Sequence, residues 1–232
     1  EQKLIKKSKN PYRKAEYYYN LSKINDIDED YCSSANAKKK YLELLPPEVQ
    51  KKDPDYIFAT LSQLAFSEIK CGNIDDAKHS IEKAKLIIIN PLDLPNASLY
   101  EIFELANALI SVNNKQIEEA KKHFDNAYKI SKVKQTITVT KLILSNRLDQ
   151  DIDTPTTQLQ YSKEIENINK FESQSLKKLI SYETIKSKER MQSQKTKTNT
   201  WILISSISLA LLLTFTSVII RKNKKLQISY EK

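Results

Sequence analysis

Glycine occurs once in the 232 residues, at Gly72, and methionine and tryptophan once each, at Met191 and Trp201. A chain with one glycine cannot build a glycine-rich phosphate cradle or a dinucleotide-binding fingerprint, because both need several positions free of a Cβ. Sheets joined by tight glycine turns are disfavoured for the same reason. The scarcity implies an all-α chain whose helices are joined by turns of Asn, Asp and Pro.

Cysteine and histidine are nearly as rare. Cys32, Cys71, His79 and His123 have no metal-ligand spacing, so neither a metal nor a cofactor is expected. The two cysteines admit a disulfide in an oxidising compartment, but their helical setting favours two separate buried thiols. The adjacent acids Asp75 and Asp76, and Glu118 and Glu119, fall at helix starts, where carboxylates complement the dipole. His79 and His123 are expected on exposed faces with no partner. Nothing pairs a nucleophile with a base, and the expectation is that the chain is not an enzyme. With 38 basic and 29 acidic residues the chain carries +9. Its lysines alternate with Glu and Asp and form no arginine stripe, so nucleic acid is not an expected partner of this segment.

Long apolar runs are absent save one. Trp201 to Ile220 is twenty residues without a charge in a chain that is 29% charged, and as a helix it would span roughly 30 Å, the thickness of a bilayer core. Its only polar side chains are Ser205, Ser206, Ser208, Thr214, Thr216 and Ser217, whose hydroxyls can bond back to their own helix. Trp201 stands at one edge and Arg221, Lys222, Lys224 and Lys225 at the other, as an aromatic anchor and a basic stop. The reading is a single transmembrane helix over 201–220 with a cytoplasmic tail over 221–232 and the large domain periplasmic or extracellular. Ser206, Ala210 and Thr214 form a small-residue face on which a second copy would pair as a homodimer. No signal peptide is visible and residue 1 is Glu, which reads as a fragment or a processed chain.

The seven prolines, Pro11, Pro46, Pro47, Pro54, Pro91, Pro95 and Pro155, punctuate the remainder into helical blocks. The clearest runs from Asp53 to Asn90. Leu61, Leu64, Ala65, Phe66 and Ile69 make one apolar face; Ala77, Ile81, Ala84 and Ile88 make a second; Cys71-Gly72-Asn73 lies between. Asp53 is placed to cap the first helix with Pro54 at its first position, and Gly72 to take the left-handed conformation that ends it.

Leu64, Ala65, Gly72, Asn73, Ala77, Ile81 and Ala84 resemble the tetratricopeptide (TPR) consensus, in which small residues let paired helices approach and a bulky one fills the gap. The helix B pattern recurs as Ala120, Phe124 and Ala127 after Leu105 and Ala106, and as Ala37, Tyr41 and Leu44 after Leu21 and Ser22. The resemblance implies a helical-repeat domain over 1–156, with units over about 12–47, 54–90 and 97–131 and a fourth over 132–156. In that fourth unit the β-branched run Thr136 to Thr140 weakens helix propensity. A long polar juxtamembrane helix over 157–199 follows, with Ile165, Ile168, Leu176, Leu179 and Ile180 along it.

The resemblance further implies a concave groove lined by the first helix of each pair. Its positions fall on Tyr19 and Lys23, on Ser62, Phe66 and Lys70, and on Tyr100, Phe103 and Asn107, which would hold a protein or peptide ligand; packing between units is the alternative role for Phe66 and Phe103. The glycosylation pattern at Asn20 and Asn96 is discounted, Asn20 lying within a helical stretch. The order of parts resembles bacterial membrane-anchored TPR sensor and regulator proteins, whose histidine-kinase or helix-turn-helix output is missing here; 221–232 looks like the start of a linker that continues beyond Lys232. The alternative is a tail-anchored adaptor with its helical domain in the cytosol, recruiting soluble partners to a membrane surface.

Overall fold

The computed structural model describes the backbone of residues 11–87 and 98–230 and the side chains of residues 12–87, 98–209 and 216. Ile88, Pro91, Pro95, Asn96, the side chains of Ala210 and Thr214, and those of the 221–232 tail lie outside these described residues. Among the described residues every regular element is a helix. In chain order they are α1 (Pro11–Ile27), α2 (Tyr31–Leu44), α3 (Pro47–Lys52), α4 (Pro54–Lys70), α5 (Ile74–Ile87), α6 (Tyr100–Asn113), α7 (Ile117–Val133), α8 (Ile137–Asp149) and α9 (Pro155–Tyr230). Two compact units result, residues 1–168 and residues 169–232.

Local chemistry sets the helix starts. The Asp53 carboxylate accepts the Tyr56 amide at 3.1 Å with Pro54 at the first helical position. The Asp30 carboxylate accepts the Ser33 amide at 3.1 Å to cap α2. Each satisfies one of the orphan amides of a first turn.

One turn recurs. At the end of α4, Gly72 takes φ +87° and the Asn73 amide reaches back to the Glu68 carbonyl at 2.8 Å, the bond that closes a Schellman cap. Asp30 to Asn25 (2.9 Å), Gln116 to Ser111 (2.8 Å) and Thr136 to Ser131 (3.0 Å) repeat it. The left-handed residues are then Glu29, Lys115 and Gln135, with Asp151 a further one after α8. At these left-handed positions glycine gives way to Glu29, Lys115, Gln135 and Asp151, each at a cost of roughly 1 kcal/mol, while Asp28, Asp30, Asn73 and Asn114 stand beside them in the turns. Glu29, Gly72 and Lys115 are spaced by 43 residues twice over.

Within the first unit consecutive helices pair as α1 with α2, α4 with α5 and α6 with α7, while α4 also packs on α2 and α6, and α7 on α8. The close approach is made by alanines: Ala65, Ala77, Ala84, Ala106, Ala108, Ala120 and Ala127 are wholly buried. Two apolar clusters fill the interior, one around Phe58, Leu61, Leu64 and Ile81, the other around Leu105, Leu109, Phe124 and Ile143. Residues 155–168 of α9 belong with this unit: Arg147 bonds Asp125 (2.5 Å) and Asp153 (2.6 Å) and lies 5.0 Å from the Tyr161 ring centre.

The second unit is the rest of α9. Its described apolar side chains, among them Phe171, Leu176, Leu179, Ile180 and Met191, are exposed. Among the described residues no helix is long and apolar enough to cross a membrane; most side chains in the downstream half of the 201–220 segment lie outside them.

Two sequence expectations are corrected here. Cys32 and Cys71 form a disulfide, with Cα atoms 5.0 Å apart, and neither is buried; the pairing brings the start of α2 onto the end of α4. His123 has a partner. Its Nδ1 is 2.6 Å from Oε2 of buried Glu104 on α6.

Candidate functional site

The C-terminal ends of α4, α6 and α8 enclose a cleft of about 360 Å³. Ile69, Ile74, Leu109 and Val112 form its apolar lining, and Lys70, Asn113, Asn146 and Gln150 its polar one, with the Gly72 backbone at the edge. Lys70 and Asn113 are the last residues of their helices and stand 43 residues apart, at the same place relative to Gly72 and Lys115. The turn repeat therefore delivers equivalent side chains to one wall.

Lys70 Nζ donates to Asn146 Oδ1 at 3.2 Å, and Asn146 Nδ2 donates to the Leu142 carbonyl at 2.8 Å, which fixes the amide orientation. Lys70 Nζ also lies 6.0 Å from the Tyr31 ring centre, and Tyr31 meets Phe66 edge-on at 5.8 Å. Burial, reinforced by the Glu29 and Asp26 carboxylates, pushes the Tyr31 phenol above its ordinary value, so it stays a neutral donor. Because Tyr31 precedes Cys32 and Lys70 precedes Cys71, the disulfide holds this aromatic-cation pair together.

Two further predicted groups lie elsewhere. Tyr19 packs against Tyr41 (5.4 Å) and Tyr56 (6.0 Å) between α1, α2 and α4, with Lys23 Nζ 4.1 Å from its ring centre. Burial there raises the Tyr19 phenol, but hydrogen bonds with Lys23 and Tyr56 outweigh it and hold it below its usual range. Tyr100 stacks on Phe103 at 5.6 Å and Phe103 meets Phe58 at 5.2 Å; Phe103 is buried in the interface of α4 with α6. Ser62 is wholly buried and donates to the Phe58 carbonyl at 2.8 Å, while Asn107 donates to the Phe103 carbonyl at 2.9 Å. Of the predicted residues, Lys70 lines the cleft, and Phe66 packs in the apolar cluster that holds its lining residues Ile69, Leu109 and Val112.

The register explains what sequence reading missed. Counting from the left-handed turn residue, the equivalents of Phe66 and Lys70 in the next unit are Leu109 and Asn113, whereas the TPR resemblance implies Phe103 and Asn107. The equivalent of Ala77 in the first unit is likewise Ser34, not Ala37. A signal was present: Ile74-Asp75-Asp76-Ala77-Lys78 recurs as Ile117-Glu118-Glu119-Ala120-Lys121, again 43 residues on. In that register Lys38 occupies the place of Ile81 and Phe124. All three are buried, and Lys38 is compensated by Asp26 (2.7 Å), Ser34 (2.6 Å) and Ser67 (3.0 Å).

No family model, no curated protein and no solved structure matches this chain. The side-chain amides can pair with an extended main chain, the aliphatic lining can take an apolar side chain, and Lys70 supplies one cation already shared with Asn146. Among the described residues no group of three His, Cys, Asp or Glu side chains is placed to hold a metal ion.

Proposed function

We propose that the chain is the ligand-binding part of a single-pass membrane protein of the TPR-like type, in which residues 1–156 hold an extended peptide segment of a protein partner. The observation that carries this reading is the cleft at the ends of α4, α6 and α8, with main-chain-competent amides at Asn113 and Gln150 beside an aliphatic lining. Trp201 to Ile220 is the membrane anchor, on the strength of its charge-free length and basic downstream flank.

The disulfide supports placing the domain on an oxidising side, outside the cytoplasm, since such bonds persist there and are reduced in the cytosol. It argues against the cytosolic tail-anchored adaptor. A signalling role is proposed on the likeness in part order alone.

The test is selection of peptides from a random display library on the full chain in nanodiscs with its disulfide intact. Selected peptides should lose roughly tenfold or more in affinity to Asn113→Ala/Gln150→Ala, the scale of two lost hydrogen bonds, and keep their affinity for Lys23→Ala. Unchanged affinity for the cleft variant would remove the cleft from the reading.

A further inference from the structure

The charge pattern of α9 changes at one point. From Pro155 to Glu189 five glutamates alternate with six lysines; from Arg190 to Tyr230 there is no acid at all. On the domain side of Trp201 this acid-free stretch carries Arg190, Lys195 and Lys197, all exposed. The residues three and four positions away from each, where a helix finds its ion-pair partners, are Lys, Ser, Gln, Met, Thr, Asn and Trp. No carboxylate of their own helix stands at ion-pair spacing from them, whereas upstream the signs are mixed.

We propose that Arg190, Lys195 and Lys197 bind the phosphate groups of anionic phospholipids at the bilayer surface on the domain side. This rests on reading Trp201 to Ile220 as the span. At the helical rise, Lys197 stands roughly 6 Å and Lys195 roughly 9 Å before Trp201, within about one Debye length of the headgroups, and Arg190 roughly 16 Å away. Its long side chain extends that reach. The disposition around the axis favours lipid over a docked acidic protein. Arg190 and Lys197, seven residues apart, share one face and Lys195 lies on the opposite one; a bilayer surrounds the helix, whereas a protein partner seats on one side.

The experiment extracts the full chain from bilayers of neutral phosphatidylcholine containing anionic phosphatidylglycerol, using a membrane-excising polymer, and measures the lipids retained. To isolate the domain-side site, Arg221→Gln, Lys222→Gln, Lys224→Gln and Lys225→Gln form the background. In it, anionic lipid should be enriched several-fold over the bulk, and adding Arg190→Gln/Lys195→Gln/Lys197→Gln should abolish that enrichment, at about fivefold per cation near the surface. Insertion without enrichment, or enrichment untouched by the three substitutions, overturns the proposal while leaving the span intact. Failure of the wild-type chain to float with vesicles of any composition overturns both. A soluble inositol polyphosphate that binds the chain in neutral discs as strongly as phosphatidylglycerol does would identify a general polyanion site and overturn the lipid assignment.

Discussion

Cys32 and Cys71, 39 residues apart in sequence, are bonded with their Cα atoms 5.0 Å apart, so the first turn of α2 is fastened to the C-cap of α4. The bond places Tyr31 beside Lys70 at the edge of the cleft. Replacing both cysteines by serine should lower stability by about 3–4 kcal/mol for a closed loop of this length. Calorimetry of the full chain in detergent should show the domain transition fall by about 10 °C; a change of a degree or two would mean that the pairing contributes little.

The turns give a paired prediction. A Cβ on Gly72 would meet no atom within 4 Å, so Gly72→Ala carries only the cost of φ +87°, about 1 kcal/mol. Lys115→Gly, at φ +62° in the equivalent turn, should stabilise by about 0.5 kcal/mol, because relief of the left-handed strain slightly exceeds the added freedom of the unfolded chain. Chemical denaturation of the two variants should move in opposite directions.

Lys38 sits where the other units have Ile81 and Phe124, and its ammonium is held by Asp26, Ser34 and Ser67. Lys38→Met removes the cation and leaves Asp26, whose side chain is 35% exposed, to rehydrate. The loss should be about 2 kcal/mol, less than for a fully buried pair. Adding Asp26→Ser should recover at least half of it in a double-mutant cycle. Additivity of the two changes would show the pair to be uncoupled.

Stability should fall at both ends of the pH range. Burial opposes ionisation of Glu104, but hydrogen bonds from His123, Tyr100 and Asn126 hold its carboxyl below the ordinary 4.5. A folded value below the unfolded one means stability that is complete above about pH 4.5 and is lost as pH falls through the folded value. Glu104→Gln should flatten that acid limb in a pH series of thermal transitions. Tyr41, Tyr56, Tyr100 and Tyr128 are pushed the other way, above the phenol value of 10.0, first by burial and then by hydrogen bonding or nearby negative charge. Their contribution is intact below about pH 10 and is lost above it, so unfolding should accompany phenolate absorbance in an alkaline titration. Phenolates appearing well before any loss of structure would contradict this.

The sequence carried the helical architecture well because its signals are local. Prolines at helix starts, Asp53 as a cap and Gly72 at a turn act over three or four residues, and the helices begin or end at them. The fourth unit was harder to read: the β-branched residues of Ile137 to Thr140 are poor helix formers alone, yet α8 runs through them because Thr140, Ile143 and Leu144 are buried. The cleft was legible only in Lys70 and its support Phe66. Leu109 and Asn113 were hidden by a shift of register, since Leu105-Ala106 imitates the Leu-Ala pair that the turn-based count places at Asn107-Ala108.

By itself, then, the sequence determined that this chain is helical, where the α4–α5 hairpin starts and turns, and that one twenty-residue segment is free of charge. Only the tertiary structure decided that Cys32 meets Cys71, that His123 meets Glu104, that Lys38 is buried, and that Lys70, Asn113 and Asn146 share one cleft. Capping, backbone conformation and apolar periodicity act between near neighbours and are written in adjacent letters. A pairing across 39 residues or 76 depends on how the hairpins stack, and that stacking is set by the summed burial of many small side chains, with no local signature of its own.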